Sequence, residues 1–274
     1  MRYHAHMPQH SFLYMKPGEW AAAAARSIMS WWAMIYLGAI AIVMAFSPST
    51  YIHQNRITIS RCIHASTWQV LPWFALLSAL VCQVVIRIVV VTALSYGLSQ
   101  YALEMVVRVL VLELIPLSAA LFVALRSGLA FNAGAMTLVP AQVVSPRLSA
   151  ASVTRVRSEL VPQVIAAAFA VFTLAMVSSV IVLLLAYINV YGLSPWGVVD
   201  YTRTVGRVFE PVVTIGFILK TVLFGMAVAV IPMAAILEAS RQARQLPSTV
   251  QPGALRLLVV LLLIEAGSLA IKYI

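Results

Sequence analysis

Charged residues are scarce in this sequence. They make up 9% of its 274 residues, whereas about 25% is usual for a water-soluble domain. Hydrophobic residues make up 62% of the chain, so polar groups cannot cover a folded surface and lipid must cover much of it. The composition excludes an ordinary water-soluble domain and predicts an integral membrane protein.

Acidic residues are scarcer than basic ones. Asp and Glu number 8 against 18 Lys and Arg, which gives a formal net charge of +10. In a soluble protein this balance would suggest a nucleic-acid partner. Here the basic residues lie mostly beside apolar runs, where they hold loops on the cytoplasmic side of a membrane. No nucleic-acid motif with interleaved aromatic residues is present, so no nucleic-acid partner is expected.

Residues suited to disulfide or metal chemistry are also few. The two cysteines, Cys62 and Cys82, are too few for a disulfide framework. His4, His6 and His10 lie in a polar N-terminal stretch with no cysteine or carboxylate nearby to complete a metal site. We expect neither a metal nor another cofactor.

What the sequence has instead is long apolar segments. A helix needs about 20 apolar residues to cross the hydrocarbon core of a bilayer. Five stretches qualify, and turn-forming residues separate them: residues 69–94, 102–125, 161–190, 212–237 and 254–271. No internal repeat or second domain is visible. We predict an all-α fold in which residues 19–274 form one membrane domain after a polar tail, residues 1–18.

A sixth apolar segment, residues 20–46, has a shorter apolar core. Trp31, Trp32 and Tyr36 crowd this region, as aromatic residues do near a headgroup layer. The segment is predicted to be an interfacial or re-entrant elbow helix, with a full membrane span as the alternative.

The distribution of Lys and Arg predicts the orientation. With the elbow inside, twelve basic residues fall in predicted cytoplasmic segments and three, namely Arg203, Arg207 and Lys272, in external ones. This asymmetry predicts a cytoplasmic N-terminus and an external C-terminus.

Several residues inside the predicted spans are unusual for an apolar helix. Charges there are costly unless they are paired or face water, which makes them candidates for function. Pro116 is predicted to kink the second span and to free a carbonyl near Leu112. Gly216, Gly225 and Ala229 can let helices approach closely. The charged residues are Arg87, Glu104, Arg108, Glu113, Lys220 and Glu265.

Four short motifs lie in and after the predicted second span and in the fourth: L-E-L-I-P at residues 112–116, L-R-S-G-L-A at 125–130, A-G-A-M at 133–136 and L-K-T-V-L-F-G at 219–225. They resemble motifs of the MlaE/YrbE family of ABC permeases. The family counterparts read R-E-L-G-P, G-R-(S/A)-G-S-A, I-G-x-M and I-K-x-x-V-F-A. The intramembrane Glu–Pro and Lys stand at matching places in the corresponding helices. The family's elbow helix plus five spans also agrees with the hydropathy pattern.

The resemblance implies a multi-pass permease subunit in the bacterial inner membrane, with its C-terminus in the periplasm. Such a subunit would move phospholipid or a related lipid between that membrane and a periplasmic MCE-domain protein. A separate ABC ATPase would drive it, and a second permease chain would complete the dimer. The chain has no G-x-x-x-x-G-K-(S/T) loop, so it is not expected to hydrolyse ATP itself. No convergent set of His, Asp or Ser supports the competing class, an intramembrane lipid-modifying enzyme.

The resemblance also implies a lipid cavity that is apolar around the acyl tails and cationic near the phosphate. The basic side chains would meet the phosphate, and the acidic ones would hold them in place. The i,i+4 spacing of Glu104 and Arg108 equally fits an intrahelical pair that only fixes packing. The candidate cavity residues are Glu113, Lys220, Arg108, Arg87, Glu104 and Pro116.

The cytoplasmic connection, residues 127–160, departs from the family pattern. In the family this stretch docks on the ATPase through a motif with acidic residues, whereas the matching residues 136–142 here have none. Pro140 and Pro146 would break any long helix here. The alternative function is therefore a divergent, non-coupling subunit that pairs with a second permease or scaffolds the complex. The candidate coupling residues are Arg126, Gly134, Met136, Gln142 and Arg147.

Overall fold

The computed structural model describes residues 53–138, 161–241 and 252–273, together with Trp32, Tyr36, Ala39 and Val43. Over these residues the chain is helical apart from short turns and contains no strand, which confirms the predicted all-α class. The four isolated positions are helical and exposed. The predicted tail, the rest of the predicted elbow and residues 139–160 lie outside the described part of the chain.

Over residues 53–138, 161–241 and 252–273 the chain forms eight α-helices, two π-helical segments and one 3-10 turn. Their bounds in chain order are α1 His53–Ile63, a π-helical turn His64–Trp68, α2 Leu71–Ser95, α3 Ser99–Val106, a π-helix Val107–Leu114, α4 Ile115–Leu138, α5 Val161–Tyr191, a 3-10 turn Pro195–Gly197, α6 Val198–Val208, α7 Pro211–Arg241 and α8 Pro252–Tyr273.

Five stretches of these helices are long and apolar enough to cross a membrane, which confirms the predicted number of spans. They are Ile59–Ser95, Tyr101–Arg126, Pro162–Tyr191, Pro211–Pro232 and Gly253–Ile271. The second span continues without a break through α4 to Leu138. The first part of the predicted cytoplasmic connection therefore prolongs this helix instead of starting a separate one.

The spans pack around α5 and α7. Helix α5 contacts α2, α4 and α7, and α7 also contacts α4 and α8. Each span contributes at least one fully buried apolar side chain to the common core: Ile86, Leu110, Leu174, Phe224 and Leu261. The outward faces are apolar as well; on α2 they include Leu76, Leu80, Val84 and Ile88. Contiguous apolar surface of this extent is what a protein presents to lipid or to another membrane helix.

A pair of side-chain amides joins two spans inside this apolar bundle. The side-chain amides of Gln83 in α2 and Asn189 in α5 donate to each other's oxygens at 3.1 and 2.8 Å, and Asn189 also donates to the Leu185 carbonyl at 2.8 Å. A reciprocal amide pair leaves neither side chain unsatisfied in a medium without water.

Replacing Gln83 by Leu is expected to destabilise the protein by about 0.6–2 kcal/mol, since interhelical hydrogen bonds in membranes are of this size. Thermal unfolding of the detergent-purified protein measures the loss. Gln163→Leu is the matched control, because Gln163 is exposed on α5. The double variant Gln83→Leu/Asn189→Leu should recover most of the loss. A Gln83→Leu variant as stable as the control would contradict the pair's role.

Candidate functional site

Lys220 is the centre of a charged cluster inside the bundle. Its side chain is 3% exposed although it lies midway along an apolar span. The ammonium forms an ion pair with the carboxylate of Glu113. A second carboxylate oxygen, Oε2 of Glu265, lies 2.8 Å from Nζ. The π-helix supplies Glu113, α7 supplies Lys220 and α8 supplies Glu265, so the cluster ties three spans together.

The third partner of Lys220 is a backbone carbonyl. Nζ donates to the Leu112 oxygen at 3.3 Å. In an α-helix that oxygen would accept from the amide of residue 116, but Pro116 has no amide hydrogen. The sequence-based prediction of a carbonyl freed near Leu112 is therefore matched by a specific donor. We call Lys220, Glu113, Glu265 and the Leu112 carbonyl the Lys220 cluster.

The charge balance of the Lys220 cluster is unequal. One ammonium faces two carboxylates, and the ring of Phe224 lies 5.7 Å from Nζ, within the distance at which a cation is attracted to an aromatic face. Buried ions need such partners, because desolvating each one costs several kcal/mol. Three mutually dependent groups on three spans make this cluster sensitive to any shift of one helix against the others.

Glu104 and Arg108 form a separate pair. Nη2 of Arg108 donates to Oε1 of Glu104 at 2.8 Å across one helical turn. These side chains are 25% and 40% exposed, respectively. Together with Arg207 and Glu210 they line a cleft of about 370 Å³ beside α6, which we call the α6 cleft.

Helix α6 is fixed firmly on the end of α5. The Tyr201 hydroxyl donates to the Leu183 carbonyl at 2.9 Å, and its ring meets that of Tyr187 edge-on at 5.1 Å. Burial raises the pKa of Tyr201, so the hydroxyl remains a donor at neutral pH. At Gly197 a Cβ would lie 2.7 Å from the Tyr191 ring, so only glycine permits this approach.

The remaining predicted site residues lie apart from these groups. Arg87 is exposed on α2 and forms no ion pair with another described residue. Arg126 is exposed and donates to the Ala65 carbonyl at 2.9 Å, which joins α4 to the π-helical turn. Gly134 and Met136 lie on the helical extension of α4. Gln142 and Arg147 lie outside the residues that the structure describes.

Sequence reasoning missed part of both sites. The sequence marks Glu265 as an intramembrane charge, the lone acidic residue of its span, but does not indicate that it joins the cavity residues. Arg207 reads only as an external basic residue, and nothing in the sequence singles out Glu210. Within the described ranges no group of three or more His, Cys, Asp or Glu residues could hold a metal ion.

Five apolar spans with a buried ion cluster define a multi-pass membrane protein. The family model for the permease MlaE matches residues 59–270. The chain belongs to the MlaE permease family, which makes it a membrane permease of a lipid-transport system. Members of this family are ABC transporter permeases that work with other subunits and are not catalytic enzymes. No curated protein and no solved structure matched the chain.

Proposed function

We propose that the chain is the permease subunit of an MCE-type ABC transporter. It moves phospholipid or a related lipid between the bacterial inner membrane and a periplasmic MCE-domain protein, and a separate ATPase drives the movement. The observation that supports this most is the Lys220 cluster, three charged side chains from three spans in the interior of a lipid permease. Because charged side chains inside a membrane span are costly, they generally mark a functional site such as a substrate pathway.

The Lys220 cluster and the Glu104–Arg108 pair have different roles in the proposed transport. Lys220 is already neutralised by Glu113 and Glu265, so it sets the relative positions of the spans and responds when they move. Arg108 is partly exposed and has only Glu104 as an ionic partner among the described residues. Its guanidinium has five N–H donors, which leaves several for a lipid phosphate. Arg87, exposed at the outer surface of α2, is a second contact for phosphate.

The orientation in this proposal follows the basic residues. The end of the bundle that carries α6 faces the periplasm and the MCE partner. The opposite end carries Arg126 and the extension of α4 with Gly134 and Met136, and it faces the cytoplasm. Residues 127–160, with Gln142 and Arg147, contact the ATPase there. The permease works as a dimer with an identical or a related chain.

Affinity purification of the tagged chain in mild detergent tests the proposal. Mass spectrometry is expected to find an ABC ATPase, an MCE-domain protein and bound phospholipid. The variant Arg108→Ala should keep the protein partners and lose most of the phospholipid, whereas Arg203→Ala, on the exposed side of α6, should keep both. Recovery of the wild-type chain alone and without lipid would overturn the assignment to lipid transport.

A second candidate function rests on the acid-poor connection. Residues 127–160 contain one acidic residue, Glu159, so the negative charges with which family members dock on the ATPase are missing. In this alternative the chain is a non-coupling subunit that pairs with a coupling-competent permease. A second permease-like chain in the same purification would support it, and a homodimer that stimulates the ATPase would contradict it.

A further inference from the structure

We propose that the α6 cleft binds the headgroup of a zwitterionic phospholipid that carries a primary amine, of the phosphatidylethanolamine class. This inference rests on the proposed lipid transport and adds a headgroup preference to it. The shared chemistry of the ligand is a phosphate diester linked by a short chain to an ammonium group.

The charges of the cleft are balanced. Two guanidinium groups, on Arg108 and Arg207, and two carboxylates, on Glu104 and Glu210, line it. A ligand with no net charge but with both signs can satisfy all four groups. An anionic headgroup would pair with the arginines and leave the carboxylates facing added negative charge, which is the kind of mismatch that creates specificity.

The free hydrogen-bonding capacity of the cleft matches the two ends of this headgroup. Among the described residues, Glu104 and Arg108 are paired with each other. The side chains of Arg207 and Glu210 form no ion pair within the described part of the chain. Arg207 and the remaining donors of Arg108 suit a phosphate, because guanidinium binds phosphate through parallel N–H bonds. Glu210 suits the ammonium, which donates three hydrogen bonds.

The mouth of the cleft lies at the level expected for lipid headgroups. Glu210 directly precedes the span that begins at Pro211, and Arg108 lies about 10 Å below the start of its span at Tyr101, at 1.5 Å per residue. The turn before α6 exposes Trp196 (89%), as expected for a helix that lies at the membrane surface. The cleft therefore opens beside Glu210 at the membrane surface and reaches down to Arg108 inside the span, so a headgroup can enter it from the surface.

The wall of the cleft connects it to the interior of the bundle. Leu112, Val208 and Val213 supply its apolar lining, and the carbonyl of Leu112 is the one that accepts from Lys220. A headgroup in the cleft therefore lies next to the Lys220 cluster. The volume of about 370 Å³ is within the range of roughly 300–1,000 Å³ typical of small-molecule sites.

Native mass spectrometry of the purified full-length chain tests this assignment. The chain is exchanged into detergent micelles that contain equal amounts of phosphatidylethanolamine, phosphatidylglycerol and phosphatidylcholine with identical acyl chains. The wild type is expected to bind the ethanolamine lipid about tenfold more than the glycerol lipid, equivalent to about 1.4 kcal/mol. Phosphatidylcholine should also bind less, because its quaternary amine has no N–H to donate.

Two variants and one control separate the parts of the cleft. Glu210→Gln should bring the ratio of ethanolamine to glycerol lipid close to one, while Arg207→Gln should lower the binding of both. Arg203→Gln should leave the ratio unchanged, since Arg203 lies on the same helix but does not line the cleft. Equal binding of all three lipids by the wild type, or a preference that survives Glu210→Gln, would overturn the inference and leave lipid transport intact. Absence of any bound phospholipid would instead contradict the proposed function.

A soluble ligand with the same chemistry is distinguished in the same experiment. Glycerophosphoethanolamine, added at the concentration of the lipids, should not displace the bound lipid, because it lacks the acyl chains that contribute to binding. Displacement at equal concentration would assign the cleft to a free phosphoethanolamine compound and overturn its assignment to a lipid.

Discussion

Replacing Lys220 by Met is expected to destabilise the protein by about 3–5 kcal/mol, the usual cost of removing one partner from a buried ion pair. Methionine fills a similar volume but cannot neutralise Glu113 or Glu265, and both carboxylates point at the position of the lost ammonium. The Leu112 carbonyl also loses its side-chain donor. Thermal unfolding in detergent, followed by tryptophan fluorescence, measures the change.

A triple variant separates the structural part of the Lys220 cluster from its part in transport. Lys220→Met, Glu113→Met and Glu265→Met together remove every charge, and such apolar replacement of buried ion networks is often neutral or stabilising. We expect the triple variant to unfold near the wild-type temperature and to be inactive in lipid transfer to the partner.

The stability and the transport activity of these variants test the Lys220 cluster separately. A Lys220→Met variant as stable as the wild type would contradict the described ion contacts. A triple variant that is stable and still transports lipid would show that the Lys220 cluster only stabilises the packing of the spans. Arg203→Met is the control for removal of one positive charge, because Arg203 is exposed and has no ion pair with a described residue.

The sequence was sufficient to predict the fold class and the residues most unusual for their surroundings. Apolar segments of span length and the motifs around Glu113 and Lys220 predicted five spans of an MlaE-type permease. A charge inside an apolar span is conspicuous in any sequence, because the bilayer makes it costly. Pro116 similarly indicates a missing backbone hydrogen bond, because proline has no amide hydrogen to donate to the Leu112 carbonyl.

The partners of these residues could not be predicted from the sequence. Lys220 is 107 positions from Glu113, and nothing local specifies that α8 brings Glu265 to the same ammonium. The π-helix Val107–Leu114 has no sequence signature, yet it determines which way Glu113 points. Arg207 and Glu210 reach the α6 cleft because α6 packs on α3 and the π-helix, with Tyr201 bonded to α5. Each of these depends on how helices pack and not on their composition.

Gly225 is where that packing is tightest among the described glycines outside the α6 turn. A Cβ on Gly225 would lie 3.0 Å from both the Cα and the carbonyl oxygen of Ala168 in α5. These are backbone atoms, which cannot rotate away as a flexible side chain can. Small residues continue the same contact at Ala229, which packs with Val164 and Ala167. Helices α5 and α7 therefore pack so closely along this face that a larger side chain on α7 would not fit.

Gly225→Ala is expected to destabilise the protein by about 1–3 kcal/mol, the usual cost of overpacking a close contact, and Gly225→Val by more. Gly216→Ala is the matched control on the same helix, because nothing lies within 4 Å of its Cβ position. This control should be neutral or slightly stabilising, as alanine is the better helix former. Thermal unfolding of the three variants in detergent gives the comparison, and equal stability of Gly225→Ala and Gly216→Ala would refute the close approach.

The same substitution at Gly225 should also affect transport, because of where it lies on α7. Gly225 follows Lys220 by five residues, about 7.5 Å along the helix axis at 1.5 Å per residue. If α7 moves away from α5 to accommodate a larger side chain, the Lys220 ammonium moves relative to Glu113, which belongs to a different span. We therefore expect Gly225→Val to lose lipid transfer at temperatures where it is still folded. A folded Gly225→Val variant with full activity would show that transport tolerates displacement of the Lys220 cluster, and the role proposed for that cluster would have to be abandoned.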